Sequence, residues 1–213
     1  GSGDDTINSG EGNDYINSGD GDDVINSGAG SDNINAGSGN DTINSGAGND
    51  SITAGAGDDT INAGTGRNSI NAGEGNDTIN ITEGDGRANY EVVRGGAGED
   101  TVVFEGNRDD YVVNHEDNNG RFTITNLDTN EIQYIYDDVE NIQFADKTVA
   151  THDSNGAINN VLVSDNVTTG AGDDTISSGS GDDTISSGAG NDRVYSGSGD
   201  DTINSGEGND YIN

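Results

Sequence analysis

A nine-residue period governs this sequence. Residues 1–81 are nine successive copies of one unit: glycine, any residue, glycine, Asn or Asp, Asp, any residue, Ile, Asn or Thr, Ser or Ala. The first copy is Gly1-Ser2-Gly3-Asp4-Asp5-Thr6-Ile7-Asn8-Ser9 and the fifth is Gly37-Ser38-Gly39-Asn40-Asp41-Thr42-Ile43-Asn44-Ser45. The unit returns at Gly170 and runs to Asn213. So short a period, held over so many copies, implies stacked identical units, each burying its apolar side chain only against its neighbours.

Each copy places one aliphatic residue at the same point: Ile7, Ile16, Ile25, Ile34, Ile43, Ile52, Ile61, Ile70 and Ile79. Polar residues flank it, as Thr42 and Asn44 flank Ile43. Polar-apolar-polar predicts a three-residue strand with one side chain inward. The next five residues, Gly-x-Gly-Asn-Asp, predict a turn, because glycine reaches backbone conformations closed to other residues and Asn or Asp tolerate them next best. Strand, turn, strand, turn makes a coil of parallel strands. Two units close one coil, and coils stack at about 4.8 Å, the strand spacing.

Such a coil has a thin core, and composition makes this worse. The 213 residues are only 27% apolar, with 41 acidic against 7 basic residues and a formal charge of -34. A chain of this kind is disordered unless something offsets its self-repulsion and the entropy of ordering. The charge argues against nucleic acid, whose binders need a basic footprint, and against binding to an anionic membrane surface. No apolar run approaches a membrane-spanning length, so no membrane insertion is expected. No signal peptide is visible, but the sequence starts within the array and is expected to be a segment of a longer protein. Cysteine is absent.

The turns hold the counterweight. Asp5, Asp14, Asp23, Asp32, Asp41, Asp50, Asp59 and Asp77 share one register position. Stacking sets these carboxylates in files that repel themselves unless a cation lies between successive turns. Carboxylates and turn carbonyls are the hard oxygen donors of which Ca²⁺ takes six to eight. Mg²⁺ fits less well, since it demands a tight octahedron and keeps its water. Transition metals fit worst, with no cysteine and no histidine in the repeat.

The unit Ser/Ala-Gly-x-Gly-Asn/Asp-Asp-x-Ile-x resembles the RTX nonapeptide, Gly-Gly-x-Gly-x-Asp followed by any residue, a large aliphatic and any residue. The resemblance covers both arrays. It implies an all-β fold: a right-handed parallel β-roll with two nonapeptides per turn, here interrupted by a small antiparallel β unit. It also implies Ca²⁺ held between the turn of one copy and that of the copy two later, so that Asp5 pairs with Asp23 and Asp14 with Asp32. The metal ligands carried over are Asp5, Asp14, Asp23, Asp32, Asp41, Asp50, Asp59, Asp77, Asp100, Asp174, Asp183, Asp192, Asp201 and Asp210. Backbone carbonyls of the adjacent turns join them (Gly1, Gly3, Gly10, Gly12, Gly19, Gly21). About ten such sites bring roughly +20 of charge, at two charges per ion. The family's first glycine is Ser or Ala here (Ser9, Ser18, Ala36, Ala63), a position expected to need no glycine-only conformation.

The array then degenerates over residues 82–103. Already in the eighth copy, Gly64-Thr65-Gly66-Arg67-Asn68, the ligand Asp has become Asn68. A tenth copy is read as Gly84-Asp85-Gly86-Arg87-Ala88, with Ala88 at the ligand position. Arg67 and Arg87 then fall on one file and are expected to supply positive charge where Ca²⁺ does not bind; drift at the end of an array is the alternative. Gly95-Gly96-Ala97-Gly98-Glu99-Asp100-Thr101-Val102-Val103-Phe104 is the last good copy.

Residues 104–149 hold all three Phe and three of the seven Tyr. They predict strands at 110–114, 121–125 and 131–136, with turns at Asn118-Asn119-Gly120 and Asp128-Thr129-Asn130. The run Val139-Glu140-Asn141-Ile142-Gln143-Phe144-Ala145-Asp146-Lys147-Thr148-Val149 is similar to an element that trails RTX arrays in many bacterial surface proteins. A cap on the open end of the roll is expected; a carbohydrate platform is the alternative for its aromatics. Residues 150–169, with Val161-Leu162-Val163, read as a re-entry segment, and 170–213 as a second roll.

The outward Asn8, Asn17, Asn26, Asn35, Asn44, Asn62, Asn71 and Asn80 read as one file broken by Thr53, and Thr6, Thr42, Thr60 and Thr78 as another, with Val24 interrupting. They suit ordinary strand faces with stacked amides better than an ice- or ligand-binding surface. His115 and His152 stand alone, no nucleophile-base set is visible, and the chain is not expected to be an enzyme.

Residues 197–213 repeat residues 1–17 without a difference. This predicts a larger tandem period of 196 residues, the offset from Gly1 to Gly197, in which the copies at 170, 179 and 188 run into the first array. The expected function is a calcium-dependent extender, stalk or fibre module of a long, secreted, extracellular bacterial surface protein. RTX resemblance further implies type I secretion and folding on Ca²⁺ outside the cell. Alternatives are the secretion and folding module of a secreted hydrolase or toxin, and a glycan- or ice-binding adhesin module. Expected partners are Ca²⁺ and neighbouring copies of the 196-residue repeat, and no nucleic acid; side-by-side association of rolls is left open.

Overall fold

The computed structural model describes residues 1–82, 90–116, 120–146, 148–150, 159–162, 166–169, 171–179, 183–197 and 199–213. Arg87 and Ala88 in the proposed tenth copy, Asn118 and Asn119, Lys147, His152, Val163 and Gly170 lie outside these residues.

The first array forms β1 (Thr6–Glu11), β2 (Tyr15–Asp20), β3 (Val24–Ala29), β4 (Asn33–Ser38), β5 (Thr42–Ala47), β6 (Ser51–Ala56), β7 (Thr60–Asn62), β8 (Ser69–Glu74) and β9 (Thr78–Asn80). Odd strands pair in parallel with odd strands and even with even, each residue facing the one 18 positions on, as Ile25 faces Ile43 and Ile34 faces Ile52. Two nonapeptides therefore make one coil, and the chain is a parallel β-roll. The isoleucines from Ile16 to Ile79 are buried between the two sheets.

Most of these strands are six residues long, not three. The pleat explains the difference. Two residues beyond each Ile, the Ser or Ala again points inward and is buried, as at Ser27, Ala36, Ser45 and Ala54. Each core layer thus holds a large and a small side chain. A buried serine hydroxyl donates to the carbonyl one coil on, Ser18 to Ala36 at 2.8 Å and Ser27 to Ser45 at 2.7 Å, so it leaves no unmet polar group. Glycine at the next position is required: Gly37 has φ of 120°, and a Cβ there would strike the carbonyl of Gly19.

The outward asparagines form two files, one on each sheet, because alternate copies belong to opposite sheets. Asn8, Asn26, Asn44, Asn62 and Asn80 share one face, each Nδ2 donating to the Oδ1 before it at 2.7–2.9 Å. Asn17, Asn35, Thr53 and Asn71 share the other, so Thr53 interrupts only that file.

Strands β10 (Val92–Ala97) and β11 (Thr101–Val103) add the last coil. The cap follows as β12 (Tyr111–Glu116), β13 (Arg121–Asn126), β14 (Ile132–Tyr136), β15 (Asn141–Gln143) and β16 (Thr148–Ala150). It extends both sheets before ending them. Strand β14 pairs in parallel with β10, then β13 and β12 reverse direction; β15 pairs in parallel with β11, then β16 reverses. The hairpins convert a templating parallel edge into a closed end. Phe104, Tyr111 and Phe144 are buried with ring centroids 5.2–5.5 Å apart, and Phe122 is buried too. Arg108 is buried beside them, its Nη1 donating to the Tyr111 carbonyl at 2.6 Å.

A second roll follows: β17 (Asn159–Leu162), β18 (Asn166–Thr168), β19 (Thr175–Gly179), β20 (Thr184–Ser186), β21 (Arg193–Tyr195), β22 (Thr202–Asn204) and β23 (Tyr211–Ile212). The segment read as re-entry already contains its first two strands, which pair in parallel with β19 and β20. Ile176, Ile185 and Val194 form its core.

Candidate metal centre

The register sets the repeat aspartates in two files, one along each edge of the roll. Asp5, Asp23, Asp41, Asp59, Asp77 and Asp100 make the first. Each backbone N–H donates to Oδ1 of the next Asp, at 2.7, 2.7, 2.7, 2.8 and 2.9 Å in order. Asp14, Asp32 and Asp50 make the second, with steps of 2.8 and 2.9 Å, and Asp50 donates on to Oδ1 of Asn68 at 2.9 Å. The second roll repeats this: Asp174 donates to Asp192, Asp192 to Asp210, and Asp183 to Asp201, at 3.0–3.1 Å. All fourteen aspartates carried over as ligands thus stand in such files, with Asp5 next to Asp23 and Asp14 next to Asp32.

One carboxylate oxygen is fixed in this way; the other is not. Oδ2 of Asp14, Asp23, Asp32, Asp41, Asp50, Asp59, Asp77, Asp100 and Asp192 is buried with no hydrogen-bond partner among the described residues. One orphaned buried carboxylate oxygen is costly; a regular row of them needs a common cause.

Asn68 shows what the cause is. It sits in the same register, and its Nδ2 stands in for the missing oxygen. That nitrogen donates to the Ala63 carbonyl at 3.1 Å and to Glu91 Oε1 at 3.2 Å. The position therefore faces acceptors. An amide N–H satisfies it; an ionised carboxylate oxygen leaves acceptor against acceptor, which a bound cation or a proton reconciles. Turn carbonyls supply more oxygen: those of Gly1, Gly10 and Gly19 lie against Gly19, Gly28 and Gly37 one coil on, and those of Gly3, Gly12 and Gly21 against Gly21, Gly30 and Gly39. No three Asp, Glu or His side chains converge on one point among the described residues, so an ion here draws on carbonyls as well as carboxylates. This all-oxygen set fits Ca²⁺.

Burial raises the carboxyl pKa values along the files. Asp41, Asp50 and Asp77 are raised; Asp59 is pushed up to about 7 and Asp100 to about 6, with neighbouring carboxylates adding to the burial effect. A bound divalent cation reverses this by favouring the charged form.

The files end differently. Val92 faces Ser69, so the residue in register with Asn68 is Glu91, 23 positions on, and not Ala88. The chain carries five extra residues there, which pattern-matching on glycines absorbs at the wrong place. The residue in register with Arg67 is accordingly Tyr90, whose ring lies 5.0 Å from its guanidinium carbon. Glu91 is fully buried, pushed up to about 8 by burial, and its N–H donates to Gln133 Oε1 at 2.5 Å. On the other edge Asp100 donates to Glu140 Oε2 at 2.7 Å. Glu91, Gln133 and Glu140 were not foreseen as members of the files. The signal was present in two of them: Glu91-Val92-Val93 and Glu140-Asn141-Ile142 repeat the acid-x-aliphatic order of Asp100-Thr101-Val102.

A further file also escaped the sequence reading. Asp4, Asp22, Asn40, Asp58 and Asn76 stand outside the first Asp file, and each accepts on Oδ1 from the next backbone N–H at 2.7–3.0 Å. The bonds run opposite to those of the inner file, so the turns along this edge are clamped to both neighbours. Restriction of this position to Asn or Asp was the visible sign.

The geometry defines a parallel β-roll whose turns present paired oxygen sites for hard cations. The chain belongs to the RTX calcium-binding nonapeptide repeat family: the family's four-copy profile matches residues 1–34, 17–52, 26–61, 53–87, 164–194 and 177–212, more than half of the chain. It is a calcium-binding protein. No curated protein matches it. Among solved structures, 11 chains match. One is the extracellular lipase LipA from Serratia marcescens, at 19% identity and a TM-score of 0.32, with 74% of this chain and 29% of the lipase covered.

Proposed function

We propose that this chain is a calcium-dependent structural module, an extender, stalk or fibre, of a long secreted bacterial surface protein. Its carboxylates serve as ligands and it carries no catalysis of its own. The observation that supports this is the row of buried Oδ2 oxygens that lack partners, from Asp14 to Asp100. A chain with such a row is poorly stable without cations, and the free energy of binding them becomes free energy of folding. In a cell interior low in calcium it stays unfolded and exportable; outside, it folds.

Tandem continuity supports the fibre reading. Residues 197–213 have the sequence of 1–17, and β22 and β23 take the places of β1 and β2. Thr184 faces Thr202 and Arg193 faces Tyr211 at the same 18-residue offset that joins β1 to β3 and β2 to β4. A following copy of the 196-residue unit would extend both sheets with no seam.

Calcium titration followed by circular dichroism tests the reading. β structure is expected to appear with calcium and to vanish in excess EGTA; full β structure in EGTA overturns it.

A further inference from the structure

We propose that the first Asp file ends in a calcium site shared between the last nonapeptide and the cap, built by Asp100, Asp138 and Glu140. The proposal rests on the reading that the Asp files bind calcium, and extends it to residues outside any nonapeptide.

Register comes first. Thr101 faces Asn141, so Glu140 occupies in the cap the place that an Asp occupies in the roll. The bond is the same as well: Asp100 N–H donates to Glu140 Oε2 at 2.7 Å, as Asp77 N–H donates to Asp100 Oδ1 at 2.9 Å. The file therefore runs one step past the repeat.

Asp100 is fully buried, and its Oδ2 has no hydrogen-bond partner among the described residues. What it points at is marked by Gly95. Every earlier copy places Ser, Ala or Ile there, from Ser9 to Ile81. Gly95 does not have a positive φ, so conformation does not explain the glycine. Space does: a Cβ on Gly95 would collide with both Asp100 Oδ2 and the Asp138 carbonyl oxygen. Two oxygens from two segments thus converge on one cradle that only glycine leaves open. Gly95 N–H also donates to Asp138 Oδ1 at 3.1 Å, which orients that carboxylate. No salt bridge to Asp100, Asp138 or Glu140 occurs among the described residues. Asp100 Oδ2 and the Asp138 carbonyl oxygen, with the Glu140 carboxylate one hydrogen bond away on the Asp100 N–H, are hard oxygen donors suited to Ca²⁺, and the site draws on a carbonyl as the roll sites do.

The opposite edge shows the contrast. There Asn68 and Gln133 bring side-chain amides to either side of Glu91, and Asn68 Nδ2 supplies the hydrogen that a cation would otherwise replace. On that edge the amides of Asn68 and Gln133 bracket Glu91, whose Oε2 is left without a partner among the described residues; on the other, the file runs on into the cap.

The test counts bound calcium by native mass spectrometry on the full chain. D138N/E140Q keeps acceptor oxygens for the Asp100 and Gly95 N–H groups and removes two charges. It is expected to bind one ion fewer than the unsubstituted chain. D41N, deep in the roll, is the control and is also expected to lose calcium. If D41N loses calcium and D138N/E140Q loses none, the cap site is overturned while the roll sites stand. If neither loses any, calcium binding by the files fails as a whole. Should D138N/E140Q not fold, a crystal of the unsubstituted chain grown in calcium decides. Anomalous density between Asp100 and Asp138 is expected; its absence there, with ions present along Asp23 to Asp77, overturns the proposal.

Discussion

Asn68 Nδ2 donates to Glu91 Oε1 across 3.2 Å, at a point in the roll where other copies set two carboxylates in sequence. One nitrogen for oxygen exchange turns a cation position into a hydrogen bond.

Asn68→Asp is expected to reverse that exchange. Without calcium, the new carboxylate faces Glu91 and the Ala63 carbonyl, and loss of the two amide bonds costs about 1–3 kcal/mol. With calcium, one more ion is expected to bind and the loss to be recovered. Thermal melts in EGTA and in calcium, with an ion count, check this.

Asp59→Asn is the opposite substitution. Oδ1 still accepts from Asp41 N–H, and the orphaned oxygen becomes a donor. In calcium the variant is expected to be less stable, by about 2.7 kcal/mol per lost site at a free calcium a hundred times the dissociation constant. In EGTA the difference is expected to shrink or change sign, because a buried carboxylate has been removed from a repelling file. Chemical denaturation under both conditions measures it.

Acidity should substitute in part for calcium. Asp59 is raised from 3.8 to about 7, Asp100 from 3.8 to about 6 and Glu91 from 4.5 to about 8, in each case chiefly by burial. Between the ordinary and the raised value the folded chain holds more protons than the unfolded one. Stability of the calcium-free roll therefore falls as pH rises through that window. β content in EGTA is expected to grow as pH is lowered from 8 toward about 4, and calcium affinity to weaken over the same range. Circular dichroism against pH, with and without calcium, checks both signs; β content that drops on acidification in EGTA contradicts the first.

Ile61→Ala tests the core. Ile61 is fully buried between Ile43 and Ile79 of the same file. A loss of about 2–5 kcal/mol is expected, toward the upper end because a rigid ladder cannot collapse into the cavity. Unfolding at saturating calcium measures it.

Gly37→Ala tests the turn. With φ of 120° and the Gly19 carbonyl in the way, the methyl group meets both strain and a clash. A loss of about 1–3 kcal/mol is expected, with weaker calcium binding because the neighbouring carbonyls must shift. Calorimetry separates the two effects.

Much of the architecture was legible in the sequence because the repeat is local. Gly-x-Gly-Asn-Asp sets the turn and Ile sets the strand within nine residues. Once the coil is 18 residues long, as the pairing of Ile25 with Ile43 shows, every repeat residue has its neighbour by arithmetic. The Asp files, the buried isoleucines and the all-β class follow from that. The cap's three antiparallel strands were also legible, since alternation and turn residues are again local signals, observed as Tyr111–Glu116, Arg121–Asn126 and Ile132–Tyr136.

What the sequence did not carry were relations across the break in period. Glycine spacing put Ala88 at the ligand position, whereas strand pairing puts Glu91 there. Likewise Glu140 stands over Asp100 only because β15 pairs with β11 across some forty intervening residues. Nor did the sequence show that Ser45 and Ala54 are core residues, since their burial depends on how far the pleat persists beyond Ile.

The sequence by itself determined the roll and its two Asp files, because a strict period converts chain position into spatial position. Only the tertiary structure decided where the files stop. There the period fails, and register is set by which strand edges meet: one edge closes on the amides of Asn68 and Gln133, and the other brings Asp100 up against Asp138 and Glu140.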